Sequence, residues 1–246
     1  MAADEIRLSA ADVEDILTCG HMEVIGRLPR ASNATLFVKV TRGDIALPAV
    51  YKPRRGERPL WDFRHGTLYR REVAAYVLSE AVGWSLVPPT VERGGEFGVG
   101  SVQLFVAEDD ERDMLELVDS GDDSLQPIAV LDVLLNNADR KVSHCMFDES
   151  GRLWGIDHGL TFHDEPKLRT VLWAWAGERV PAALGHDVAA LGDHLAGQDS
   201  GAAARLAELL DDDEIEALLD RIELLARSGR FPEPDPYGHP VPWPPY

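Results

Sequence analysis

The sequence predicts an α+β chain in two lobes: a β-rich N-terminal lobe over residues 1–110 and a mostly helical C-terminal lobe over 111–246. Three observations predict it. Apolar residues alternate with a period of two through the first hundred residues, a single helical segment interrupts them, and from about Leu125 the apolar spacing turns helical. With 246 residues, 45% of them hydrophobic, the chain can fill a core of that size.

In order, Ser9 caps a first helix whose Val13, Ile16 and Leu17 share a face. "GHMEVIGRLPRASNATLFVKV" reads as strand, loop and strand, with Leu36, Val38 and Val40 alternating and residues 26–33 supplying turn chemistry. "LPAVYKP" is a short strand ended by proline, and an edge position is the bland reading of its Lys52. "TLYRREVAAYVLSEAVG" switches to helical spacing, with Thr67 as cap and Gly83 as stop. "LVPPTVER" and "SVQLFVAE" are strands around the glycine-rich turn "RGGEFGVG". The acidic stretch 107–123 reads as a linker. Beyond it come the helix "LQPIAVLDVLLNN", the hairpin "CMFDESGRLWGID" and further helices. The tail "FPEPDPYGHPVPWPPY" favours extended polyproline structure and is expected to pack on the body.

Composition narrows the function classes. A net charge of -19 argues against nucleic acid or an anionic membrane as main partner. Yet residues 52–71 carry seven Lys or Arg against two acids, a place for a small anion. No run approaches the roughly 18 apolar residues of a membrane span, and the acidic N-terminus is no signal peptide, so a cytoplasmic location without integral membrane association is expected. Cys19 and Cys145 form no disulfide framework and are expected to be buried and inert.

Four elements carry chemistry. The loop 26–35, including Ser32 and Asn33, is a candidate for covering phosphates with backbone N–H groups. Lys52 ends an apolar strand, and Glu72 follows on a helix. A strand lysine followed by a helix glutamate is the order of an ion pair that turns the lysine toward nucleotide phosphates. Asp139 in "NNADRKVSH" and Asp157 in "WGIDHG" are eighteen residues apart across the hairpin, which returns the chain close to its start. Two carboxylates and a lysine suit Mg-ATP: one acid for metal, one for the attacking hydroxyl, the lysine for the phosphates.

The series "VYKP", "YRREVAAY", "NNADRKVSH" and "GIDHG" resembles the phosphoinositide 3-/4-kinase superfamily, most closely an actinobacterial phosphatidylinositol-kinase-like group, over roughly residues 26–175. The resemblance implies a protein-kinase-like fold and an ATP-dependent phosphotransferase using Mg²⁺ or Mn²⁺. It casts Lys52 and Glu72 as the phosphate-binding pair, Asp139 as the catalytic-loop aspartate, and Arg140 beside it as structural or phosphate-facing within the catalytic set. Asp157 is cast as the metal ligand, and Phe105, Val106 and Ala107 as the hinge touching adenine. Lys141 replaces a family histidine, leaving Asp139 as base. His144 replaces a metal-binding asparagine and suits Mn²⁺ better than Mg²⁺, with Asn137 as another oxygen source.

The segment "LTFHDEPKLRTVLWAWAGERVP" stands where such kinases read their acceptor. Lys167 and Arg169 are placed to meet an anion, and Trp173 and Trp175 share a face if the segment is a strand, whereas a core role for the tryptophans fits equally. A soluble protein or small molecule ranks above a lipid as acceptor. Three alternatives stand beside the kinase: a metal-dependent phosphohydrolase using Asp139, His144 and Asp157; an inactive nucleotide-binding pseudokinase; and transfer of adenylyl instead of phosphoryl.

Overall fold

The computed structural model of the chain describes residues 8–28, 34–109, 111–197 and 200–246. It divides into two compact units: residues 1–69 with 89–105, and residues 70–88 with 106–246. Among the described residues no helix is long and apolar enough to cross a membrane.

The first unit holds α1 (Ala10–Cys19), β1 (His21–Arg27), β2 (Leu36–Arg42), β3 (Ile45–Pro53), β4 (Thr90–Gly95) and β5 (Gly98–Leu104). The strands form an antiparallel sheet in the order β1-β2-β3-β5-β4. Ser9 and Asp12 make a capping box at the start of α1. At its other end, Arg93 donates to the carbonyls of Leu17 (2.6 Å) and Gly20 (3.1 Å), which meets part of the need of a helix terminus. Val13, Ile16 and Leu17 pack on Val38, Val40, Ala49, Tyr51, Val91 and Val102, so the alternation read from the sequence is the buried face of the sheet.

Several details depart from the sequence reading. β3 is longer than expected and central, flanked by β2 and β5, so Lys52 is not on an edge. The β4–β5 turn is short, because Gly95 already pairs with Gly98. Gly100 lies within β5 beneath the Lys52 and Pro53 backbone, where any Cβ would collide. Of the turn expected over 26–33, Gly26 and Arg27 belong to β1, which bulges between Val24 and Gly26.

The second unit begins with most of α2 (Leu68–Ala81), followed by α3 (Met114–Ser120), α4 (Gln126–Leu135), the hairpin β6 (Cys145–Phe147) and β7 (Leu153–Gly155), then α5 (Ala182–Ala196), α6 (Gly201–Leu209) and α7 (Asp212–Ser228). α2 is buried nearly all round, from Arg71 through Tyr76. Instead of Thr67, whose hydroxyl donates to the Arg64 carbonyl, Glu57 accepts the Tyr69 N–H of its first turn (2.9 Å). α4 is buried from Ile128 to Asp132 and again at Leu134 and Leu135, its apolar side chains packing in one core with Leu191 of α5 and with Leu218, Ile222 and Leu225 of α7.

The acidic stretch expected as a linker contains α3. Asp113 caps it through the N–H groups of Leu115 and Glu116, and Met114 drops into the core. Trp173 and Trp175 are on no strand: the Trp175 ring is buried 6.0 Å from Phe231, and Trp173 gives its indole N–H to the Pro240 carbonyl (2.9 Å). The tail is packed through its backbone, with Tyr237 and Trp243 exposed. Cys19 is exposed, which corrects its expected burial, because it faces outward in the last turn of α1. Cys145 is buried, and burial pushes its thiol up to about 12.

Candidate active site

The stretch after α4 is held by two asparagines. Asn136 takes a left-handed conformation (φ 50°) as the helix C-cap, which asparagine tolerates well. Its side chain donates to the carbonyls of His163 (2.9 Å) and Glu165 (2.7 Å) and accepts the Lys167 N–H (2.8 Å). Asn137 is fully buried, donating to Asp132 (2.9 Å) and accepting the Asp139 N–H (3.0 Å). Both halves of its amide thus shape the loop, and the geometry places it in the scaffold beneath Asp139.

Arg140 is fully buried as well. Its Nε lies 3.0 Å from each Asp132 carboxylate oxygen, and Nη2 is 2.9 Å from Oδ1. Nη1 donates to the carbonyls of His144 (2.9 Å) and Ile156 (3.0 Å). Nη2 also meets His158 Nε2 at 2.8 Å, and since a guanidinium only donates, that nitrogen accepts and the imidazole proton sits on Nδ1. Burial pulls the guanidinium pKa down, and the opposing influences of Asp132 first, then Cys145 and Asp157, leave it raised overall, so it stays charged. This side chain ties α4 to both ends of the hairpin.

Asp132 had no place among the candidate residues, although it is the hub: Thr170 also donates to it, at 3.2 Å. A signal was present, because an aspartate inside "AVLDVLL" is buried only with a partner. Glu72 also gains an unforeseen contact, its Oε2 accepting the His158 N–H at 3.0 Å. That bond braces the residue after Asp157, which itself sits at φ 60°, a sparsely populated conformation for a non-glycine residue that accompanies functional positions.

His144 links the Asp157 carboxylate to the backbone of Asp139. The His144 Nδ1 lies 3.0 Å from the Asp139 carbonyl, and its Nε2 lies 3.4 Å from Asp157 Oδ2. A carbonyl only accepts, so Nδ1 carries a proton. A neutral His144 then turns a lone pair toward a carboxylate, an arrangement that a positive charge on or between the two atoms relieves. The Asp157 side chain is 48% exposed and that of Asp139 27%, so both reach solvent. Lys141 holds Asp139 Oδ2 at 2.9 Å. Burial lifts the Asp139 carboxyl above the usual carboxylate range, Lys141 opposes the shift, and the charge of Asp157 adds to it. Among the described residues no group of three or more His, Cys, Asp or Glu gathers as a metal site.

In the first unit, Lys52 sits near the end of β3, its backbone opposite Ser101. Phe105 follows β5, gives its N–H to the Pro48 carbonyl (3.0 Å) and packs edge-on to Phe37; Val106 and Ala107 come next in irregular backbone. Ser32 and Asn33 lie outside the described residues.

Residues 67–209 match the model of the phosphatidylinositol 3- and 4-kinase family, more than half of the chain. The chain is similar to Protein Rv2133c of Mycobacterium tuberculosis, 40% identical over 270 aligned positions covering 95% of each protein. Among solved structures, hydra Fam20 determined with sugar superposes with a TM-score of 0.60 at 14% identity, over 89% of this chain and 87% of that one. The Helicobacter pylori proinflammatory kinase CtkA superposes with a TM-score of 0.50 at 10% identity, over 87% and 94%. At these identities the structural matches speak for a kinase-like fold alone.

Proposed function

Since the chain belongs to the phosphatidylinositol 3- and 4-kinase family, we propose that it is an ATP- and divalent-metal-dependent phosphotransferase acting on a hydroxyl of a soluble protein or small molecule. One observation carries the reading: a half-exposed carboxylate at a strained position, Asp157, is tied through His144 to the backbone carbonyl of Asp139, whose own carboxyl is partly exposed and raised in pKa by burial. The donor set fits a divalent ion. Asp157 supplies a hard oxygen, and the facing Nε2 of His144 suits Mn²⁺ in particular. Such an ion, when bound, neutralises charge on the phosphates.

In this reading Asp139 orients the acceptor hydroxyl and takes its proton as the oxygen attacks the terminal phosphorus. The bond to the bridging oxygen breaks, and ADP leaves with that electron pair. A raised pKa brings the carboxylate nearer to a working base. Lys52 is assigned to the phosphates and Phe105, Val106 and Ala107 to adenine, on family membership and chain order. Arg140, Asp132 and Glu72 act as positioning residues: they set where Asp139 and Asp157 stand, and Asn137 supports them from below.

The test separates binding from turnover. Asp157→Asn is expected to remove the metal-dependent part of ATP stabilisation in a thermal shift assay. Asp139→Asn is expected to keep it while turnover falls roughly 10²- to 10⁴-fold. Wild-type behaviour of both variants refutes the assignment. Stabilisation by ATP without any phosphoryl transfer, under either metal, reduces the protein to a nucleotide-binding module.

A further inference from the structure

Within the second unit, the C-terminal half of α7 and the residues that follow it line a groove of about 230 Å³. Its apolar walls come from Val133 of α4, Leu224 and Leu225 of α7, and Phe231. Leu225 and Phe231 belong to the core, whereas Leu224 keeps 55% of its surface exposed, so apolar surface runs unbroken from the core out to solvent. The charged residues of the lining are Arg221 and Arg230, and among the described residues no acid lines it. In a chain of net charge -19 this is a local reversal of sign. The nearby acids are engaged elsewhere or turned outward: Asp220, whose charge acts on Arg221, is exposed; Glu223 faces Arg227 at 3.8 Å; and Glu233 lies against Gly177.

Arg221 is anchored from behind. Its Nε donates to the Leu134 carbonyl at 2.9 Å and its Nη1 to the His163 carbonyl at 3.3 Å, while Nη2 is buried with no hydrogen-bond partner among the described residues. Burial pulls the guanidinium down to about 10, against the influence of Asp220, and at neutral pH it remains charged. A buried cation with an unmet donor is only partly compensated, and an anion beside it supplies the remainder. Arg230 is exposed and gives one N–H to the Gly177 carbonyl (2.7 Å) out of the five that a guanidinium carries.

We propose that this groove is a binding site for a small amphiphilic monocarboxylate, whose apolar body lies along Val133, Leu224, Leu225 and Phe231. Arg230 bonds the carboxylate, and Arg221 supplies a second positive charge beneath it. A volume of about 230 Å³ falls below the range of drug-sized ligands, which selects a short alkyl chain or a single ring. A guanidinium matches a carboxylate in shape and charge, so the anion adds what apolar contact alone lacks. A neutral amphiphile leaves Arg221 as it is, and a cationic one is repelled.

The experiment titrates the full-length protein calorimetrically at neutral pH with octanoate and 3-phenylpropionate, beside octanol, octylamine and acetate. At least one of the two amphiphilic acids is expected to bind saturably, one molecule per chain and at least tenfold more tightly than each of the three controls. Arg230→Gln and Arg221→Met are expected to weaken it at least tenfold, and Leu224→Asp, which puts an acid on the apolar wall, to abolish it. Arg221 also anchors two backbone carbonyls, so a loss in its variant counts only with a native circular dichroism spectrum; Arg230 and Leu224 are exposed, and their variants decide the matter without it. No saturable binding of either acid, octanol or octylamine binding as tightly, or full affinity in both Arg230→Gln and Leu224→Asp overturns the proposal. The readout is binding, so the outcome stands apart from that of the phosphoryl-transfer tests.

Discussion

Asp139 keeps 27% of its side chain in solvent while Arg140, the next residue, keeps none. The difference sets what each can do: one can meet an acceptor, the other can only hold the loop. Because burial and Asp157 raise the Asp139 carboxyl against the pull of Lys141, the acid limb of the kcat/KM profile is expected above the pH of an ordinary aspartate. Lys141→Met removes a hydrogen bond and a charge that lower the pKa, so it should move that limb to still higher pH. A limb that stays in place removes Asp139 as the titrating base. The stability sign runs the other way from a salt-bridged acid: the native state holds this proton more tightly than the unfolded chain, so stability falls as pH rises between the ordinary value and the raised one. Asp139→Asn is therefore expected to cost turnover without lowering Tm at neutral pH.

At the scale of elements, α4, the active loop and the hairpin are joined by the Asp132–Arg140 pair with its bonds to His144, Ile156 and Thr170. Breaking a buried pair from one side strands the other charge, at about 3–5 kcal/mol. Urea denaturation of Asp132→Asn is expected to show a loss of that size, and an Asp132→Asn, Arg140→Met double variant less than the sum of the single losses. Additive losses would mean that the pair is not coupled. The elements themselves were largely legible: α1 with its Ser9 cap, the five strands and the hairpin all follow from period and turn residues. α3 was missed because five acids in 107–113 masked a three- to four-residue apolar spacing of Met114, Leu117 and Val118. The tryptophan pair was misplaced because spacing of two marks a strand only where a neighbour supplies the ladder, and here turns and the tail take the backbone bonds instead.

For the whole molecule, a net charge of -19 means self-repulsion that salt should relieve. The urea midpoint of the protein is expected to rise between about 0.01 and 0.15 M NaCl, where the Debye length shortens from about 30 to about 8 Å; a flat or falling midpoint would mean that favourable pairs dominate. Fold class, element order and the identities of Lys52, Glu72, Asp139 and Asp157 as candidates came from the sequence by itself, because periodicity and motif order are properties of neighbours along a chain. Which polar groups are buried, and against what, was decided only by tertiary structure. Arg140 and Asn137, candidates in the sequence, are both fully buried and bonded to Asp132, a residue the sequence reading passed over. Thr170 and Trp173 found a hydrogen-bond partner in the Pro240 carbonyl, more than sixty residues away. The reason is physical: desolvation and hydrogen-bond partnership depend on groups that the chain brings together only after folding, and one-dimensional spacing carries no measure of either.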